Sequence, residues 1–341
     1  MLTARAKENN MGIRLAVIIK ALNEERNIAR AIESAIAAVS SYSGEVILAD
    51  SGSTDGTIAI ASGYPIKIVQ LADTAERSCG VGAQLGYQFV NVDYVYILDG
   101  DMALTSGFLT HAVDILEHSP SLAGVGGMVE ELGGGNYEFN VRKEEQDGRF
   151  AGRQESLDMG GLYRVEAIKK IHYLTNRNLH SYEEKELGQR LTQAGYFLER
   201  IAEPAIKHYG KTEDSLQLLF RRWETQHIDG PGEWMRAVWR TPHFFSVAMK
   251  FKQFWVIFIG WLSFAMSLAL VYRSSLFLAV TLFAHGVLLL RLALKRKSFG
   301  LACTGFVHLQ FYTAGMIRGL FRKQVNPSQW IKANVRDGSV S

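Results

Sequence analysis

Short apolar runs alternate with helical stretches through the first 210 residues of this 341-residue chain, and that alternation limits the fold more than any other feature. Apolar, β-branched runs predict strands at residues 15–19, 45–49, 66–69, 94–98 and 197–201. The stretches between them predict helices at residues 28–39, 57–62, 82–89 and 183–194. We therefore expect an α/β domain in which helices cover both faces of a mostly parallel sheet. The Gly-rich, charged residues 126–153 lack periodicity and predict an irregular loop.

The last part of the chain differs in kind, because apolar residues dominate from residue 254 onward. Residues 254–272 carry no charged side chain and are long enough for a membrane-spanning helix. Residues 276–294 predict a second span. Residues 299–317 predict a third segment that either spans or is re-entrant or interfacial, and the basic residues 295–297 predict a cytoplasmic turn before it. The alternative is a set of buried core helices in a soluble domain.

These features divide the chain into four expected segments. Residues 1–230 form the α/β domain, residues 231–252 an amphipathic segment, residues 253–321 a membrane region of two or three helices, and residues 322–341 a polar tail. Aromatic and basic side chains within 231–252 suit a helix in the membrane interface, although an ordinary surface helix explains them nearly as well. The N-terminus lacks the apolar core of a signal peptide, so we expect a multi-pass cell-membrane protein with a cytoplasmic α/β domain.

Charge and cysteine content disfavour other classes of protein. The formal net charge of +3 is too small to suggest a nucleic-acid-binding protein. Two cysteines, Cys79 and Cys303, are too few for a disulfide framework, so we expect both to be reduced thiols. No G-x-G-x-x-G motif follows the first predicted strand, which disfavours a nicotinamide-dependent dehydrogenase.

Two carboxylates separated by one glycine, in the run Asp99-Gly100-Asp101, come directly after the predicted strand at residues 94–98. Such a pair at a strand end can hold a hard divalent cation. Mg²⁺ accepts few carboxylates together with phosphate oxygens, so a diphosphate would complete its coordination. The alternative is an ordinary Asp-Gly turn after a strand.

Polar and small residues also follow the first two predicted strands. Asp50 opens the run at residues 50–56, where a carboxylate can accept hydrogen bonds from a nucleotide and small residues allow close backbone approach. A loop that caps the next helix would look the same. Asn23 and Glu25 follow the first strand, and Asn23 is equally suited to cap a helix.

Glu183 and Glu184 stand at the start of a predicted helix. A carboxylate there can serve as general base towards an acceptor hydroxyl. The alternative is structural, because Ser181 followed three residues later by Glu184 is the pattern of a capping box. Taken alone, this motif favours the structural interpretation.

In order along the chain, the runs at residues 23–25, 50–57, 99–101 and 183–187 resemble the motifs of family 2 glycosyltransferases, which have the GT-A fold. The resemblance covers roughly residues 13–225, and the ordered set is more specific than any single motif. It implies a Rossmann-like GT-A domain and an inverting, hexosyltransferase-type enzyme. It also implies a nucleotide-diphospho-sugar donor and Mg²⁺ or Mn²⁺ as cofactor. We expect a UDP-sugar first, with a GDP-sugar as the alternative.

The resemblance implies roles for single residues. Glu184 matches the general base, with Glu183 as the alternative, because the pair here is Glu-Glu where the family usually has Glu-Asp. Asp101 matches the metal ligand of the family's DxD motif. His208 matches a histidine that completes the metal shell in many members, although a lone histidine after a strand is as often structural. The residues expected to bind the nucleotide-sugar are Asn23, Glu25, Asp50, Asp99 and Gly100.

Four further residues are expected on the acceptor side, namely Gly160, Gly161, Arg222 and Trp223. The last two resemble the end of the Q-x-x-R-W motif of processive synthases, but Leu219 occupies its first position. We therefore expect non-processive transfer to a lipid-linked or glycan acceptor at the membrane surface, with homodimerisation left open. The alternatives are a processive polysaccharide synthase component, a nucleotidyltransferase and a non-catalytic membrane scaffold.

Overall fold

The computed structural model describes residues 12–133, 151–210, 214–269, 276–296 and 298–338. These residues form two compact units. The first unit contains residues 12–133, 151–210 and 325–338, and the second contains the described residues between 214 and 324. This division differs from the four expected segments, because the C-terminal residues return to the first unit instead of forming a separate tail.

The first unit is built on one mixed sheet. In chain order its strands are β1 (Arg14–Ala21), β2 (Ser43–Asp50), β3 (Lys67–Leu71), β4 (Tyr94–Asp99), β5 (Met102–Leu104), β6 (Leu122–Glu131), β7 (Gly152–Gln154), β8 (Gly161–Arg164), β9 (Phe197–His208) and β10 (Ala333–Asp337). They lie in the order β10-β3-β2-β1-β4-β8-β6-β9-β5, with β7 beside β9. The four strands β3, β2, β1 and β4 are parallel, as is the pair β6 and β9, and the other pairs are antiparallel.

Helices cover both faces of this sheet. They are α1 (Ile28–Val39), α2 (Thr57–Ala61), α3 (Cys79–Tyr87), α4 (Phe108–His118), α5 (Val165–Lys170) and α6 (Glu183–Gln193). Successive side chains of a strand point to opposite faces. Leu15, Val17 and Ile19 of β1 therefore join one buried core with α1 and α4, whereas Ala16 and Ile18 join a second core with α3, α5 and α6.

Most of the predicted elements are confirmed, and α1 spans residues 28–39 as predicted. The mostly parallel arrangement holds for the central strands β3, β2, β1 and β4. The loop predicted at residues 126–153 is wrong at both ends, where β6 and β7 lie, and residues 134–150 fall outside the described residues. Glycines hid β6, but they are required there. A Cβ on Gly127 would come within 2.6 Å of Ala205 of β9.

The C-terminal residues expected to be a polar tail instead add β10 to the edge of the sheet, antiparallel to β3. The segment before β10 is held by specific contacts. The Trp330 ring lies 5.2 Å from Phe89, and the backbone N–H of Ile331 donates to Gln88 Oε1 at 2.7 Å. The mixed composition of β10 gave no strand pattern, because only its backbone pairing places it there.

The second unit is helical, with α7 (Ser215–Glu224), α8 (Gly230–Ala237), α9 (Phe244–Lys250), α10 (Lys252–Ala269), α11 (Leu276–Arg296) and α12 (Phe299–Leu320). Ion pairs join the end of α12 and the residues after it to the residue before α8, since Arg318 and Arg322 contact the fully buried Asp229 at 2.7 and 3.1 Å. The predicted spans at residues 254–272, 276–294 and 299–317 each coincide with a helix, apart from residues 270–275, which lie outside the described residues.

The expectation of membrane-spanning helices is not supported for the described residues. None of their helices taken singly is both long and apolar enough to cross a membrane. One pair of helices, Phe244–Lys250 and Lys252–Met266, meets the requirement together but is bent by 79°. The polar side chains His308 and Gln310 lower the hydropathy of α12, and Arg291 lowers that of α11.

Candidate active site

The loop after β1 is fastened to the loop after β2, so two of the expected donor-side residues form part of one platform. Asn23 has a left-handed backbone with φ 58°, and its Oδ1 accepts the backbone N–H of Thr54 at 2.8 Å. Its own N–H donates to Ser53 Oγ at 2.9 Å. Glu25 Oε2 accepts the N–H of Gly56 at 2.8 Å. Both side chains therefore shape the edge of the sheet where a nucleotide is expected.

Asp50, at the end of β2, is fully buried and accepts several hydrogen bonds. Its Oδ2 accepts the N–H groups of Gly52 at 2.9 Å and Ser53 at 3.0 Å, and the Gln70 amide at 3.1 Å. Its Oδ1 accepts the Ser53 hydroxyl at 2.5 Å. The carboxylate therefore holds the loop in shape, and its contact with a nucleotide base stays a prediction.

Asp99 ends β4 and forms an ion pair with Lys20 of β1, whose Nζ lies 2.9 Å from Asp99 Oδ1. The two residues are direct neighbours in the parallel pairing of β1 and β4. Gly100 donates its N–H to the carbonyl oxygen of Lys20 at 2.8 Å. A Cβ there would lie 2.9 Å from Glu24 Cγ, so a glycine is needed where the chain turns between the two aspartates.

Asp101, His208 and Glu131 lie side by side because the sheet pairs their strands. His208 at the end of β9 is opposite Glu131 of β6 on one side and Met102 of β5 on the other. His208 Nδ1 lies 2.5 Å from Glu131 Oε2, and Nε2 lies 3.4 Å from Asp101 Oδ2. The imidazole is therefore held between two carboxylates.

Burial by itself would lower the pKa of His208, but hydrogen bonds to Asp101 and Glu131 and the charges of both carboxylates outweigh it and raise the pKa to about 9. The residues fit a divalent cation. The 3.4 Å between Asp101 Oδ2 and His208 Nε2 is close to the ~3 Å between neighbouring ligands of an ion with bonds of about 2.1 Å. Glu131 contacts the other ring nitrogen of His208, Nδ1, so only Asp101 and His208 are placed as ligands. Within the described residues no three His, Cys, Asp or Glu side chains are placed to hold one ion, so diphosphate oxygens would have to complete the coordination.

Glu183 and Glu184 are the first two residues of α6, and both are buried. The helix begins after Tyr182, which has a left-handed φ of 67°, and no side-chain hydrogen bond caps it. The capping-box interpretation of Ser181 and Glu184 is therefore wrong. Glu183 Oε1 lies 3.4 Å from Lys20 Nζ, so the same lysine contacts Asp99 and the start of α6.

Glu184 Oε2 is buried and has no hydrogen-bond partner among the described residues. Desolvation raises its pKa to about 8. Lys20 opposes this rise, while the charges of Asp158, Glu183 and Asp99 add to it. A buried carboxyl group with a pKa near neutrality is the kind of group that serves as a general base.

Gly160 and Gly161 lie beside β4, since Gly161 of β8 pairs with Ile97, two residues before Asp99. Gly160 has φ 100°, and a Cβ there would lie 2.8 Å from the Tyr96 hydroxyl. Met159, immediately before it, also has a positive φ, at 64°. Such strained backbone often marks a functional site, and here it lies beside the donor-side carboxylate.

Arg222 and Trp223 belong to the second unit, on α7, so they are described apart from the residues above. Arg222 donates to the Tyr312 hydroxyl at 2.8 Å, and the Trp223 ring lies 5.5 Å from that of Phe311. The Arg318 guanidinium lies 4.3 Å above the Trp223 ring. These contacts join α7 to α12, and an acceptor-side role for either residue stays a prediction.

Comparison with protein families finds one matching model, described as Glycosyl transferase family 2, over residues 16–171. That span contains Asp50, the Asp99-Gly100-Asp101 run and Gly160. The chain contains a family 2 glycosyl transferase domain. The predicted enzyme class, a glycosyltransferase, is confirmed. No curated protein sequence matches it.

Solved structures with a similar fold include mannosyltransferase PcManGT from Pyrobaculum calidifontis in complex with GDP-Man and Mn²⁺. The match has 18% identity and a TM-score of 0.55 and covers 91% of this chain and 87% of that one. Glucosyl-3-phosphoglycerate synthase from Mycobacterium tuberculosis, in complex with Mn²⁺, UDP and phosphoglyceric acid, matches with 18% identity and a TM-score of 0.48, over 67% of this chain and 80% of that one.

A third structure is S. aureus TarS 1-349 in complex with UDP-GlcNAc, with 14% identity and a TM-score of 0.49, covering 95% of this chain and 97% of that one. A longer TarS structure is also similar, and this chain spans 44% of its length. The likeness to PcManGT supports a GT-A-like fold for this chain.

Sequence reasoning missed two residues of this glycosyltransferase site, Lys20 and Glu131. Lys20 had a signal, because it is a lysine near the carboxyl end of an otherwise apolar strand. Glu131 had none, because its strand was predicted as a loop and its partner His208 is 77 residues away. Only the pairing of β6 with β9 brings them together.

Proposed function

We propose that this family 2 glycosyltransferase catalyses metal-dependent transfer of one sugar, with inversion, from a nucleotide-diphospho-sugar to a lipid-linked or glycan acceptor at a membrane surface. The observation that carries the proposal is the position of Lys20, which contacts both Asp99 and Glu183. It joins the donor-side carboxylate to the start of the helix that bears Glu184. A direct displacement needs a donor site and a base in one cluster.

The donor end of the site would be formed by residues at the carboxyl ends of β1, β2 and β4. The structure of PcManGT with GDP-Man and Mn²⁺ supports a nucleotide-sugar together with a divalent cation in a fold of this kind. We propose Mn²⁺ or Mg²⁺ as the cofactor, with a UDP-sugar as the first donor to test and a GDP-sugar as the second. Asp99 would accept hydrogen bonds from the nucleotide, and Asn23 and Glu25 would hold the loop beneath it.

Asp101 and His208 would bind the cation, whose charge would offset negative charge on the departing diphosphate. Glu131 would hold the His208 ring by its Nδ1 so that Nε2 faces the cation. On the acceptor side, Glu184 would take the proton of the attacking hydroxyl. A single displacement of this kind inverts the configuration of the anomeric carbon, which supports the inverting outcome.

Exposed apolar side chains in the second unit support a membrane location. Many large apolar side chains there are exposed, among them Phe245 at 78%, Met249 at 63%, Phe283 at 74% and Leu294 at 71%. Exposed apolar patches mark membrane or protein contacts. Phe245 and Met249 are four residues apart on α9, so they lie on one side of a helix that ends in Lys250. We propose that this unit attaches the enzyme to the cytoplasmic face of the cell membrane.

Transfer by detergent-purified enzyme to a lipid-linked or soluble glycan with a free hydroxyl group tests the proposal, with a panel of UDP- and GDP-sugars and with Mn²⁺, Mg²⁺ or chelator. We expect turnover of one donor with metal, loss of turnover with chelator, and at least a hundredfold loss in both Asp101→Ala and Glu184→Gln. The product's anomeric configuration, read by NMR, should be opposite to that of the donor.

Asp93→Asn is the matched control, because Asp93 lies just before the first residue of β4, at the opposite end from the site, where it pairs with Arg14 at 2.8 Å. It should retain wild-type turnover. Transfer that continues in chelator would remove the role given to Asp101 and His208. A product with retained configuration would contradict Glu184 as a simple base.

A further inference from the structure

Lys20 is a buried charge at the end of an apolar strand. Its neighbours from Leu15 to Ile19 are fully buried, and the Lys20 side chain itself is only 14% exposed. A cation in such a place is unfavourable unless it is paired. Methylene groups of its stem pack against α3, where a Cβ on Gly82 would come within 3.3 Å of Lys20 Cγ. The packing therefore fixes the direction in which the ammonium points.

The ammonium joins two elements that are distant in sequence. Lys20 Nζ lies 2.9 Å from Asp99 Oδ1 at the end of β4 and 3.4 Å from Glu183 Oε1 at the start of α6. Glu183 is 163 residues away along the chain, so this contact exists only in the folded site. It links the donor side of the proposed site to the base side.

Charge balance explains why a lysine stands there. Burial would lower the pKa of Lys20, but Asp99, Glu183 and Glu184 outweigh it and raise the pKa well above its ordinary value. Lys20 therefore stays an ammonium ion. The acidic groups that act on Glu184 are Asp158, Glu183 and Asp99, and Lys20 is the cation that opposes them.

Two phenols also interact with Glu184, Tyr96 on β4 and Tyr163 on β8. Burial raises the pKa of each well above its ordinary range, so both stay neutral. They therefore add no charge to the balance between Lys20 and the carboxylates.

We propose that Lys20 is a positioning residue for the transfer reaction, which fixes the Asp99 carboxylate against the start of α6 and keeps Glu184 able to accept a proton. This inference rests on the proposed function, in which Glu184 is the base. Lys20 acts through its two partners and does not need to touch donor or acceptor. Its ammonium group supplies the charge that acts on Glu184, and its packed stem fixes where that charge lies.

Lys20→Met and Lys20→Arg test the inference, with Lys67→Met as the control. Lys67 is a suitable control because its ammonium group also forms an ion pair, 3.3 Å from Glu45, whereas the residue lies on β3 away from the site. The measurement is kcat/KM across pH 6 to 10, together with the KM for the donor. For Lys20→Met we expect the rise of kcat/KM to move to higher pH by about one unit or more, and a higher donor KM. Lys20→Arg should restore the pH position, and Lys67→Met should leave the profile unchanged.

The inference would be overturned if kcat/KM of Lys20→Met rose at the same pH as in the wild type. It would also be overturned if the rise for Lys20→Arg moved to higher pH as far as that for Lys20→Met. Failure of the proposed function is recognised separately, because then the wild type transfers no sugar. In that case the pH dependence of the unfolding free energy still tests whether Lys20 acts on Glu184. The pH at which the stability advantage of Glu184→Gln over its parent levels off should move up by about one unit when Lys20→Met is also present. An unmoved pH would show that Lys20 does not act on Glu184.

Discussion

Replacing Glu184 by glutamine is expected to stabilise the enzyme above pH 5 while abolishing transfer. The buried Glu184 side chain has a pKa of about 8, against an ordinary value of 4.5, and desolvation is the main cause. Glutamine has nearly the same shape but cannot ionise. The substitution therefore removes the unfavourable burial of a charge and leaves the packing at the start of α6 in place.

The sign and size of the effect follow from the two pKa values. Between pH 4.5 and 8 the folded protein keeps the Glu184 proton, whereas the unfolded chain has lost it. The wild type therefore loses stability as the pH rises through this window, by about 1.4 kcal/mol per pH unit. Across the whole window the loss is about 5 kcal/mol, and it is complete above pH 8. Below pH 4.5 both proteins carry a neutral side chain and differ little.

The assay is urea denaturation of the wild type and Glu184→Gln in the same detergent at pH 5, 6, 7, 8 and 9. We expect the difference in unfolding free energy to grow in favour of Glu184→Gln up to about pH 8 and then level off. Glu166→Gln is the control, because Glu166 is exposed on α5, and its difference from wild type should stay within about 0.5 kcal/mol. A difference for Glu184→Gln that is constant with pH, or that favours the wild type at pH 9, would refute the burial argument.

The remaining predictions concern the pH dependence of transfer, the cation, the glycine turn and the membrane. Because Glu184 must lose its proton to act as base, kcat/KM of the wild type should rise about tenfold per pH unit up to about pH 8. Glu131→Gln should weaken Mn²⁺ binding about 10- to 100-fold, measured by electron paramagnetic resonance with a nucleoside diphosphate present, since it loosens the hold on His208. Gly160→Ala should destabilise the protein by about 1–3 kcal/mol in urea unfolding, because φ is 100° and the methyl group would meet the Tyr96 hydroxyl. Phe245→Glu should reduce sedimentation with liposomes, because it puts a charge into the exposed apolar side of α9.

The parallel part of the sheet could be predicted from the sequence because its signals are local. β1, β2 and β4 are continuous apolar runs, and each ends in a polar turn. The donor-side residues follow those strands directly, so strand ends and motif positions coincide. Asp99 and Asp101 could therefore be placed at the carboxyl ends of the parallel strands without knowledge of the residues that contact them in the fold.

The antiparallel part could not be predicted, because long-range pairing decides it. β6 contains three glycines where a strand normally has branched side chains, and Gly127 is required by the close approach of β9. β10 has mostly exposed side chains, so no alternation marks it. Because β6 was not predicted, Glu131, which contacts His208, was not recognised as part of the site. The metal ligands Asp101 and His208 were therefore predicted without it.

Glu184 shows how the structure decides between a structural and a chemical role that the sequence left open. A capping glutamate stabilises its helix, but Glu184 makes no cap, lies buried and lowers the stability of the folded chain at neutral pH. This loss, about 3.5 kcal/mol at pH 7 and about 5 kcal/mol above pH 8, is a large part of the roughly 5–15 kcal/mol by which most domains are stable. A side chain with that effect fits a catalytic role better than a structural one, because sites of chemistry are where folds accept such losses. Lys20 belongs to the same balance, since without its charge the cost of ionising Glu184 would be larger still.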